Sequence, residues 1–60
     1  MKEVKIHPTK KWEISIIEYR INEDKMYKVT RRMPTMLVAE TKIFKSKEEA
    51  KKQFEEWLTN

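Results

Sequence analysis

One segment constrains the fold more than any other, because it starts and repeats like a helix yet is too short to stand alone. Ser46 is followed three positions later by Glu49, the spacing of a capping box, in which the hydroxyl satisfies a free amide of the first turn and the carboxylate reaches back. Ala50, Phe54, Trp57 and Leu58 then recur with helical period on one stripe. Glu48 with Lys52, Lys51 with Glu55 and Lys52 with Glu56 are charge pairs four apart on the outer face. The spacing predicts a helix over 47–58. Three turns are marginal in water, so the Phe54 and Trp57 face must lie on another layer.

The rest of the chain reads as strands, and they supply that layer. Residues 11–21 are rich in β-branched and aromatic types and alternate. Asn22-Glu23-Asp24-Lys25 is a polar turn without glycine, since Asn and Asp tolerate positive φ. Residues 26–33 continue the alternation, Pro34-Thr35 breaks the chain, and a third strand covers 36–44 up to the helix cap. Val4 and Ile6, before Pro8, offer a short edge strand, so residues 1–10 read as either a mobile arm or an edge strand. The expected fold is a single α+β domain over 1–60, a three-stranded antiparallel meander with an optional fourth N-terminal strand packed on one C-terminal helix, (β)βββα.

Register decides which side chains share a face. A three-residue turn pairs Ile17 with Val29, Tyr19 with Tyr27 and Glu18 with Lys28, whereas an even turn shifts the pairing by one and sets aliphatic residues opposite Arg31 and Thr30. The three-residue turn is the expectation here, because it gathers these apolar side chains into one layer. It leaves Trp12, Ile14 and Ile16 on the face of Lys28, Thr30 and Arg32, so the sheet is either covered in part on both sides or exposes an apolar, basic surface.

Composition narrows the chemistry. With 60 residues, no cysteine and no glycine, the chain has no disulfide framework, no zinc ribbon, no thiol nucleophile and no glycine turn to cradle a phosphate. A chain this short has no room for a deep small-molecule pocket. His7 is the lone imidazole, Ser15 and Ser46 are the serines, and Ser46 is already accounted for by capping. The expectation is a non-enzyme with no cofactor, no metal and no small-molecule substrate. No apolar run reaches the roughly 18 residues of a membrane span, and the N-terminus lacks the apolar stretch of a signal peptide, which points to a soluble cytoplasmic protein without a membrane partner.

Charge is segregated along the chain. The first 47 residues hold twelve cations against six carboxylates, while the last 13 hold two lysines against four glutamates. Lys28, Arg31 and Arg32 on the second strand, Lys42 and Lys45 on the third, Lys10 and Lys11 before the first and Arg20 at its end are the candidates for a basic sheet face opposite an acidic helix. Cations on such a face neutralise phosphates and release counterions, Thr30 can join Arg in reading base edges, and Trp12 can stack on a base or sugar. Nucleic acid, DNA before RNA, is therefore the expected partner.

The run from Trp12 to Arg20, the charged hairpin, the basic strand after it and the phrase Phe44-Lys45-Ser46-Lys47-Glu48-Glu49-Ala50 together resemble the N-terminal arm-type DNA-binding domain of tyrosine-recombinase integrases, over residues 11–58. The resemblance implies a three-stranded sheet backed by one helix and inserted into the DNA major groove, with Lys28, Thr30, Arg32, Lys42 and Arg20 facing the bases. This chain lacks the glycines which that family places in its hairpin and before the phenylalanine.

The alternative is a protein-interaction module, such as a small accessory or inhibitory protein of a virus or mobile element. On that reading Met26, Met33 and Met36 supply adaptable apolar surface, and a homodimer is a further possibility, because a small meander with an open edge can pair edges.

Overall fold

The computed structural model describes residues 1–33, 35 and 39–59. The expected start of the last strand at 36–38 and the break at Pro34 lie outside those residues. Strands β1 (Lys2–Ile6), β2 (Glu13–Ile21), β3 (Asp24–Arg32) and β4 (Ala39–Phe44) form one antiparallel sheet in sequence order, followed by helix α1 (Lys47–Thr59). The fold is α+β, and residues 2–6 form a fourth, edge strand beside β2.

Helix α1 begins as its sequence dictates. The Ser46 hydroxyl accepts a hydrogen bond from the Glu49 amide at 3.4 Å, and the Ser46 carbonyl accepts from Ala50 N at 3.1 Å. Glu48 and Glu49 put negative charge on the first turn, where the helix dipole favours it. The stripe of Ala50, Phe54 and Trp57 is buried and Leu58 half-buried, packed over β2, β3 and β4. Against it lie Ile14, Ile16, Tyr27 and Val29, with Trp12 and Phe44 at the margin. Burying each of the aliphatic core side chains contributes about 1.5–3 kcal/mol relative to leaving it exposed.

The hairpin register differs from the sequence expectation. Ile21 pairs with Asp24, so the loop is the two residues Asn22-Glu23, and Asp24 and Lys25 belong to β3. Asn22 takes φ 58°, a left-handed value that asparagine adopts more readily than most residues, and two-residue loops suit the twist of a hairpin. The consequence is a slip of one along the whole ladder. Ile16 now pairs with Val29, Glu18 with Tyr27 and Ile17 with Lys28. Ile14 and Ile16, expected beside Lys28, Thr30 and Arg32, face the helix; Ile17 and Tyr19, expected in the core, turn away from it.

A second turn is organised by a side chain. His7 is buried, and its Nδ1 accepts hydrogen bonds from the amides of Thr9 at 3.2 Å and Lys10 at 3.0 Å. An acceptor at Nδ1 places the ring proton on Nε2 in the neutral form. His7 N donates to the Trp12 carbonyl at 2.8 Å, and Lys11, with φ 62°, donates to the His7 carbonyl at 3.1 Å. The imidazole thus ties the β1–β2 turn by accepting from its amides, while Lys11 supplies the left-handed backbone value.

Burial, followed by the charge and hydrogen bonding of Glu18, raises the pKa of Tyr27 above the usual phenol value. The folded state therefore keeps the phenol protonated to higher pH than the unfolded chain, so its contribution is present at neutral pH and lost as pH rises through the folded value. Urea unfolding from about pH 7 to about pH 11 should show the parent losing stability relative to Tyr27→Phe above about pH 10; parallel curves would refute this coupling.

Candidate functional site

The slip in register sorts the candidate residues onto two faces. On the helix side, β3 presents Tyr27, Val29 and Arg31, and the partners of Arg31 across the sheet are Ile14 and Glu40. The Arg31 guanidinium lies 4.3 Å from the centroid of Trp12 and 4.7 Å from that of Trp57, and it is ion-paired with Glu40. Lys10 Nζ stands 5.1 Å from the Trp12 ring, and Lys42 Nζ stands 5.6 Å from the Trp57 ring while donating to Gln53 Oε1 at 3.2 Å. Cations and indoles therefore alternate in the order Lys10, Trp12, Arg31, Trp57, Lys42.

This stack is a structural device. A cation over an indole contributes about 0.5–1 kcal/mol when exposed and about 2 kcal/mol when desolvated. Arg31 closes the open end of the core with a guanidinium that two ring faces and a carboxylate neutralise. Its guanidinium is already engaged by Glu40 and both indoles, and Trp12 is half-buried in the same stack.

The opposite face is uncovered. Its central row is Val4, Ser15, Thr30 and Thr41, with the two threonine hydroxyls 3.3 Å apart. The row toward the loop end is Ile6, Glu13, Arg32 and Ala39; the row toward the hairpin is Lys2, Ile17, Lys28 and Ile43, and beyond it lie Tyr19 with Met26 and Ile21 with Asp24. Among the described residues, five large hydrophobics are strongly exposed, and four of them are here: Val4 46%, Ile6 55%, Ile21 53% and Ile43 55%.

The expected nucleic-acid surface is thus divided. Lys28, Thr30 and Arg32 share the open face, joined by Lys2. Arg31 and Lys42 lie on the helix side, as does Arg20, which pairs with Lys25 at the hairpin. Lys10 and Lys11 sit in the β1–β2 turn, and exposed Lys45 follows β4. The methionines are divided as well: Met26 near the start of β3 and Met33 just past its end are roughly 23 Å apart at the rise of a strand, and Met36 lies outside the described residues.

Sequence reading missed the aliphatic patch of Ile17, Ile21 and Ile43. Strand β2 is apolar in both phases, Trp12, Ile14 and Ile16 in one and Ile17, Tyr19 and Ile21 in the other, so its alternation does not reveal which set faces the helix. Among the described residues no group of three or more His, Asp and Glu side chains could hold a metal ion, and no helix is long and apolar enough to cross a membrane.

Arg31→Ala should lower stability by about 1–2 kcal/mol in urea unfolding, while Arg32→Ala should stay within about 0.5 kcal/mol of the parent. Equal effects would refute the structural role assigned to Arg31. Comparisons with protein-family models, curated proteins and solved structures give no match to this chain.

Proposed function

We propose that this chain is a non-catalytic binding module whose open sheet face docks a protein surface that is apolar and carries carboxylates. The observation that supports this reading most directly is the concentration of exposed Val4, Ile6, Ile21 and Ile43 on the one side that α1 leaves bare. Exposed aliphatic side chains gathered on one uncovered face mark a candidate docking surface. Lys2, Lys28 and Arg32 punctuate the patch against Glu13 and Asp24, so the face is close to neutral, unlike the strongly basic surface that phosphate recognition uses. Lys28, on a central strand between Ile17 and Ile43, would need a partner carboxylate once water is excluded.

A second reading rests on Lys28, Thr30 and Arg32, which alternate along β3 on the open face. Together with the resemblance to integrase arm domains, it keeps nucleic acid as a partner for the same surface.

One experiment separates the two. A photo-crosslinking residue at Ile43 should trap a discrete protein adduct in cells, lost with Ile21→Asp, whereas the same residue at Glu56 on the outer side of α1 should trap none; equal trapping at both sites would refute the docking face. Titration with labelled duplex serves the second reading, which requires a log–log salt slope of about −2 to −3 that falls by about one in Arg32→Ala. Absence of binding at low salt would remove it.

A further inference from the structure

We propose that β1 is the interface of a symmetric dimer, pairing antiparallel with β1 of a second copy about a two-fold axis at Val4. The phase of the ladder is the first ground. The Met1 carbonyl accepts from Glu18 N at 2.9 Å, and His7 N donates to the Trp12 carbonyl at 2.8 Å, so these pairs bracket β1 as hydrogen-bonded pairs. Bonded pairs alternate in an antiparallel ladder, which makes Glu3–Ile16 and Lys5–Ile14 the bonded pairs between them. Lys2, Val4 and Ile6 therefore aim their amides and carbonyls outward, away from β2. A two-fold at Val4 pairs Val4 with Val4 and Lys2 with Ile6, and every one of these outward groups gains a partner.

Charge is the second ground. In this register Glu3 of each copy stands opposite Lys5 of the other, in the closer, non-bonded type of pair. The neighbouring registers with the same hydrogen-bond phase set Lys5 against Lys5 or Glu3 against Glu3, so like charges disfavour both of them relative to this one. Glu3 and Lys5 form no ion pair within the described residues, and they border a groove of about 370 Å³ between β1 and α1 that gives their side chains room. The other edge, β4, could also set Glu40 against Lys42, but Glu40 already holds Arg31 and Lys42 already holds Gln53. Exposure agrees, since Val4 and Ile6 lie on β1 and Met1 directly precedes it. The dimer would be an eight-stranded sheet with both helices on one side and two docking faces in a continuous surface on the other.

Sedimentation of the full chain from about 10 μM to about 1 mM should show a reversible monomer–dimer equilibrium, weak because one strand pair is a small interface. Glu3→Lys and Lys5→Glu should each weaken it about tenfold or more, and the double swap Glu3→Lys with Lys5→Glu should restore it. Val4→Pro removes an amide that points outward, so it should abolish the dimer while leaving the monomer's melting curve close to the parent's. A monomer throughout the range, unchanged association in the single charge variants, or a double swap no better than either single variant would overturn the proposal.

Discussion

The two-residue loop at Asn22-Glu23 is the constraint from which the rest of the structure follows. Side chains alternate across a strand, so one residue more or less in that loop exchanges the contents of the two faces of the hairpin. The observed register puts Ile14, Ile16 and Val29 under Phe54 and Trp57 and brings Arg31 between two tryptophans. It also sends Ile17, Tyr19 and Ile21 to the side that no helix covers. Core and candidate surface are two results of one turn.

A single helix does not cover all four strands, and this shapes the surface. It packs on β2, β3 and β4 and leaves a groove beside β1. At the loop end, where Trp57 sits, the helix side of β2 is apolar; toward the hairpin it changes to Glu18 and Arg20. The open side changes in the opposite sense, from Glu13 and Ser15 to Ile17, Tyr19 and Ile21. The doublet Ile16-Ile17 is where the apolar phase of the strand crosses from one face to the other.

Two groups of cations in this small domain differ in surroundings. Arg31, Lys10 and Lys42 lie over indoles and seal the margin of the core, and the charge of Arg31 is met by Glu40. Lys2, Lys28 and Arg32 remain on the open face among aliphatic side chains. A tally of basic residues along the chain cannot separate these groups, because Arg31 and Arg32 are adjacent in sequence and opposite in space. The same holds for His7, a lone imidazole in the sequence and the centre of a turn in the structure.

What the sequence by itself determined was the helix with its cap and buried stripe, the strand content and the meander order, since each rests on local capping, propensity and periodicity. The place of Ser46 and the inward set Ala50, Phe54 and Trp57 were legible residue by residue. The phase of β2 was not, because both of its faces are apolar and only contact with the helix, together with the turn that fits that contact, chooses between them. The tertiary structure alone decided which arginine lies between the tryptophans and which lies on the open face, and where the exposed isoleucines gather. A residue's face is a property of pairing between distant segments, and pairing is settled by the layer that covers it.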